Sequence, residues 1–82
     1  MTKLLIQALD MIEGGDWDAA HDIVAEDDSR EAAWLHAHLH RVEGDGQNAE
    51  YWYRKADLDP FVGDVTEERY ALRSALTEDP LP

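Results

Sequence analysis

The chain is punctuated twice in the same way: Gly15-Asp16 is followed by Ala20, and Gly44-Asp45 by Ala49, at an offset of 29 residues. Each glycine closes a segment whose apolar residues recur with the helical period, and each alanine lies on the inner face of the segment that follows. A Gly-Asp pair between two such segments reads as a helix stop and turn. The repeat therefore predicts helical hairpins, and the expected class is all-α with about five helices.

The first helix is expected to open at Thr2 as N-cap, to carry Leu4, Leu5, Ala8, Leu9 and Ile12 on one stripe, and to end at Gly14-Gly15. The second, over about 17–26, turns Ala20, Ile23 and Val24 inward, with Asp18, Asp22 and Glu26 outward. Asp28 and Glu31 form a capping-box pattern that opens a third helix over about 30–43. The fourth spans about 46–57 with Ala49, Trp52, Tyr53 and Ala56 inside, and Pro60 bars its continuation. A second capping box, Asp64 with Glu67, opens a fifth helix to about residue 77 that carries Leu72, Ala75 and Leu76, after which TEDPLP is expected to fray. The chain divides into one domain over 1–82: a hairpin over about 2–27, a second over about 30–57, and a capping helix over about 65–77.

The spacing of Trp34, Gly44-Asp45, Ala49, Ala56 and Asp59-Pro60 resembles a tetratricopeptide hairpin. Ala20, Ala49 and Ala56 are small residues that permit close helix approach. The resemblance covers about residues 2–60 and implies two antiparallel hairpins. Stacked repeats need about three units to bury a continuous core, so the fifth helix must act as a cap or the chain must associate, and a homo-oligomer stays open. At finer grain, Trp17-x-x-x-His21 and then WxHAxLHRxEGDxxNAxYWYRKA resemble a small bacterial and fungal protein family. The matching positions are Trp17, His21, Trp34, His36, His40, Arg41, Glu43, Asn48, Trp52, Tyr53 and Arg54. That likeness implies a shared architecture and no particular activity.

Composition narrows the function classes. The net charge is −12, yet 44% of the residues are hydrophobic and three are tryptophan, so the charge decorates a folded chain rather than a disordered acidic tail. Residues 1–29 carry eight acids against Lys3, whereas residues 30–59 carry six against Arg30, Arg41, Arg54 and Lys55. No basic stripe exists to displace counterions from phosphates, so DNA and RNA are not expected partners. The absence of cysteine excludes thiolate metal sites and fits a reducing compartment; cytoplasm is the expected location. The run LLIQALDMI is broken by Gln7 and Asp10 and is not read as a signal peptide, and no segment approaches the ~20 apolar residues of a membrane span.

On the third helix, His36, His40 and Glu43 stand at i, i+4 and i+7, within about 60° of one another at 100° per residue. Apolar residues flank this stripe, with Glu31 and His38 opposite, so the stripe is expected to face the bundle and His38 the solvent. His21, one turn beyond Trp17, can approach the same place. Buried polar groups need partners, which leaves three readings. The first is a structural network in which Glu43 orients a histidine and Arg41, Asn48 or a tyrosine completes the bonding; it needs no cofactor. The second is a metal site of His36, His40 and Glu43 with His21 as a further ligand, and zinc or iron as the ion. The third is acid–base catalysis by a histidine, for which so small a chain offers little enclosed space.

No nucleophile constellation includes Ser29 or Ser74, and Gly44-Asp45-Gly46 lacks the strand and Lys-Ser/Thr of a phosphate loop. Tyr51, consecutive with the inward Trp52 and Tyr53, is expected to point outward as a contact for a partner. The expected function is a protein or peptide interaction module, with a basic partner favoured by charge, and a metal-binding protein or metal-dependent enzyme as the alternative.

Overall fold

A computed structural model describes residues 2–77, and of Thr2 the backbone alone. The end of the tail expected to fray, residues 78–82, lies outside the described residues. Five helices follow one another: α1 (Thr2–Glu13), α2 (Trp17–Ala25), α3 (Arg30–Val42), α4 (Gly46–Lys55) and α5 (Val65–Thr77), with no strand among the described residues. The all-α expectation holds.

The Gly-Asp repeat is a repeat of backbone geometry. Gly15 and Gly44 have φ of 89° and 87°, the left-handed conformation that glycine adopts without a Cβ penalty. In both turns the glycine N–H bonds back three residues at 3.0 Å, to Ile12 or Arg41, and the aspartate N–H back five at 2.8 Å, to Met11 or His40. This is the Schellman arrangement, which satisfies orphan carbonyls at the helix end. The same aspartates then cap the next helix, Asp16 accepting from the Ala19 N–H and Asp45 from the Asn48 N–H, each at 3.2 Å.

Other helix ends differ in detail from expectation. Thr2 is itself the first helical residue of α1. Ser29, rather than Asp28, caps α3 by accepting from the Ala32 N–H at 3.1 Å, while Asp27 supports the turn by accepting from the Ser29 N–H. α4 stops at Lys55, before Pro60 can act, because Asp57 takes φ 59° and repeats the Schellman bonds through Asp57 N–H to Arg54 and Leu58 N–H to Tyr53. The second capping box is formed in both directions: Asp64 N–H donates to Glu67 Oε1 at 2.9 Å, and Glu67 N–H to Asp64 Oδ1 at 2.8 Å.

α1 packs against α2, and α3 against α4, while α3 also meets α2 and α5 crosses both α1 and α3. Leu5, Ala8, Leu9 and Ile12 of α1, Ala20 and Val24 of α2, Leu35 and Leu39 of α3, and Leu72 and Leu76 of α5 build the main core. A second cluster, Ala37, Ala49 and Tyr53 with Trp34, Trp52, Leu58 and Phe61 against it, fills the space between α3 and α4. Helix α3 is thus enclosed on most sides: apart from Trp34, every residue from Ala32 to His40 is buried. Leu4, expected on the inner stripe of α1, is instead 49% exposed.

Candidate functional site

The burial of α3 brings two polar centres inside the bundle. In the first, Glu68 of α5 is 0% exposed and accepts from four donors. His38 Nδ1 at 2.9 Å and Arg41 Nη1 at 3.0 Å reach Oε1, while Trp34 Nε1 at 3.0 Å and the Tyr53 hydroxyl reach Oε2. Each carboxylate oxygen therefore uses two acceptor positions, and the group is fully satisfied. Arg69 Nε donates to His38 Nε2 at 3.3 Å, so that nitrogen is the acceptor and Nδ1 is the one that donates to Glu68. Burial would push the Glu68 carboxyl up, but the bonds from His38, Tyr53 and Trp34 outweigh it and hold the carboxyl below its ordinary value. Burial, reinforced by the hydrogen bond to Glu68, raises the Tyr53 hydroxyl well above its ordinary value.

This centre corrects the helical-wheel expectation for His38, which is 0% exposed rather than solvent-facing. The wheel assigns one wet side to a helix, and α3 has none along its middle. Of the groups expected as alternatives to complete the bonding around Glu43, Arg41 serves Glu68 instead, as does the Tyr53 hydroxyl, and Asn48 bonds to Asp45 at 3.1 Å. Glu68 was missed by the sequence reading, though a signal existed. It stands at i−4 from Leu72 and i−8 from Leu76, both buried, and so lies on the apolar stripe of α5, whereas Ala75 is exposed.

The second centre gathers three imidazoles. The Trp17 indole donates to the Leu39 carbonyl at 2.7 Å, which pins α2 across α3 and sets His21 over the i, i+4 pair His36 and His40. Nε2 of His21 and Nε2 of His36 face each other at 3.0 Å. The His36 ring is stacked on Trp52 (centroids 3.8 Å apart, 11° between planes) and on His40 (5.1 Å, 20°), and His21 is stacked on Trp17 (4.9 Å, 12°). One nitrogen from each of His21, His36 and His40 lies within 4.8 Å of the others. His36 and His40 are buried and His21 is half-buried. Burial first, and then the neighbouring His21 and His40, lower the His36 pKa to about 4, so its ring is neutral near pH 7.

Glu43 engages a histidine, as the network reading expects, but it does so from the surface rather than from inside the bundle. It is the C-cap residue of α3, its side chain is 41% exposed, and its Oε1 meets His40 Nδ1 at 2.6 Å from outside the imidazole cluster. The helix ends there, and the Glu43 side chain is part-exposed while still reaching His40 at i−3. His40, Glu43 and Asp45 also bring ligand atoms within 4.8 Å of one another, but Asp45 is committed to capping α4. In contrast to Glu68, this centre does not close: Nδ1 of His36 is buried with no hydrogen-bond partner.

A third feature lies at the surface. Leu4 of α1 and Ile23 of α2 line a groove of about 650 Å³ together with Asp22, Glu26, Asp27, Asp28 and Ser29. Among the described residues no cation lies within ion-pair distance of these four carboxylates. Tyr51 is 46% exposed and points outward as expected, beside Lys55. No helix of the described residues is long and apolar enough to cross a membrane. Comparison with known proteins finds no matching family model, no matching curated protein and no matching solved structure.

Proposed function

We propose that the protein is a small helical interaction module that takes a basic peptide segment, or a partner presenting one, in the groove between α1 and α2. The observation that carries this reading is that apolar and acidic side chains line one groove: Leu4 and Ile23 stand with Asp22, Glu26, Asp27 and Asp28, four carboxylates with no cation in ion-pair range among the described residues. A Lys or Arg side chain lays its aliphatic stem on apolar surface and its charge among carboxylates, which matches this arrangement. The surplus of acids across the chain adds long-range attraction for such a partner and repulsion for nucleic acid.

The test is calorimetric titration of the protein with a peptide alternating Lys and Leu, against a Glu-Leu peptide of equal length. Binding of the basic peptide alone is expected, weakening by about tenfold or more as salt rises from about 50 to about 300 mM. The paired change Asp22→Asn with Glu26→Gln, and separately Leu4→Ser, is expected to weaken it further. Affinity insensitive to both variants would place the contact elsewhere. Self-association abolished by Leu4→Ser would instead make a second copy of the chain the occupant.

A further inference from the structure

Two buried polar centres share α3, and they differ in one respect. Every polar atom of Glu68 has its donors, whereas the imidazole cluster leaves a buried nitrogen of His36 without a partner. That orphaned nitrogen is Nδ1, not the Nε2 that faces His21, so it marks the network as incompletely bonded, and it is the convergence of the three rings that points to a ligand. The cluster is also held in place from both sides, by the Trp52 stack under His36 and by the Trp17 bond and stack behind His21.

We propose that His21, His36 and His40 form a three-imidazole site for a divalent transition ion of the zinc class, with Glu43 as the outer group that orients His40. An ion about 2.0–2.1 Å from each ligand in tetrahedral geometry sets imidazole nitrogens about 3.3 Å apart. The His21 and His36 nitrogens stand at 3.0 Å, and all three ligand atoms fall within 4.8 Å, so modest ring rotations bring them to that spacing. The facing Nε2 atoms make one hydrogen bond that the ion would replace.

His40 supplies the element most characteristic of a metal site. Glu43 Oε1 engages its Nδ1 at 2.6 Å, which leaves Nε2 as the nitrogen free to ligate and fixes the ring's tautomer. A carboxylate behind a ligating histidine raises the ligand's basicity and restrains its rotation. Imidazole nitrogens favour zinc, nickel and copper over magnesium and calcium, which take oxygen ligands. Three protein ligands leave the fourth position to water or a small donor, and half-buried His21 marks the open side.

The deciding experiment uses the untagged full chain, stripped with chelator and titrated with zinc chloride near pH 7.5, with cobalt(II) as a spectroscopic probe. One ion per chain, a tetrahedral cobalt absorption band and a higher Tm that chelator reverses are expected. Magnesium in large excess should not compete. His21→Gln removes a half-buried ligand with least harm to the fold and should abolish the cobalt band. Glu43→Gln should keep the band and weaken affinity by about 10–100-fold. His36→Gln should abolish binding as well, its folding checked by circular dichroism. The proposal is overturned if the stripped chain shows no saturable zinc binding, if zinc binding survives His21→Gln undiminished, or if magnesium displaces zinc, since the last two outcomes would put the ion on the acidic surface.

Discussion

Oε1 of Glu68 lies 2.9 Å from Nδ1 of His38, and this contact joins residues 30 positions apart on α5 and α3. Both side chains are fully buried. The pair ties the last helix to the central one, and Arg41, Tyr53 and Trp34 extend the tie to α4 and its cluster. A buried carboxylate with four donors is expensive to break from either side, because most of the partners left behind, His38, Tyr53 and Arg41, are buried or charged.

Glu68→Ala is expected to destabilise the fold by roughly 3–5 kcal/mol, the range for breaking a buried charged network by removing one member. Tyr53→Phe should cost less, about 1–2 kcal/mol, since the ring still packs on Ala37 and Ala49. Urea denaturation followed by tryptophan fluorescence measures both. If the double variant costs the sum of the singles, the two groups do not interact, contrary to the structure.

Acidification of the metal-free protein should lower stability in two separate windows. His36 has a folded pKa near 4 against an ordinary 6.5, so the unfolded chain binds its proton first, and stability declines as pH falls from about 6.5 toward 4. Glu68 has a folded pKa below its ordinary 4.5, and its contribution is present above that value and is lost as pH falls through the lowered one. Urea midpoints should show the first decline missing in His36→Gln and the second missing in Glu68→Gln. A midpoint in the unaltered protein that stays flat between pH 6.5 and 4 would contradict the burial of neutral His36.

The three Schellman turns make a comparison internal to the chain. Gly15, Gly44 and Asp57 hold equivalent positions with φ of 89°, 87° and 59°. Asp57→Gly should raise stability by up to about 1 kcal/mol, because glycine relieves the left-handed strain of a side chain, partly offset by unfolded-state entropy. Gly44→Ala should lower stability by about 1–2 kcal/mol even though open space surrounds its missing Cβ. Thermal melts of the two variants should move in opposite directions; shifts of the same sign would remove the backbone argument.

Where a feature depended on neighbours along the chain, it was legible in advance. The Gly-Asp turns, the Asp64–Glu67 capping box and the existence and order of five helices follow from contacts spanning three to five residues. The placing of His36 and His40 on one face of α3 was legible in the same way, from their i, i+4 spacing, whereas the arrival of His21 beside them depends on the Trp17–Leu39 contact between α2 and α3.

What the sequence by itself determined, then, was the set and order of helices, the two Gly-Asp turns and the Asp64–Glu67 start of α5, because backbone sterics and hydrogen bonding within a turn decide those. Only the tertiary structure decided which side chains are inside. His38 reads as solvent-facing on a single helix, and it is buried because α5 crosses α3 and covers it; Glu43 reads as inward, and its side chain is part-exposed where α3 ends. Glu68 stands among acids in sequence, and its burial became affordable only once four donors from α3 and α4 converged on it. The free energy of a buried charge depends on partners brought together by the packing of whole helices, and no local pattern states where those helices will cross.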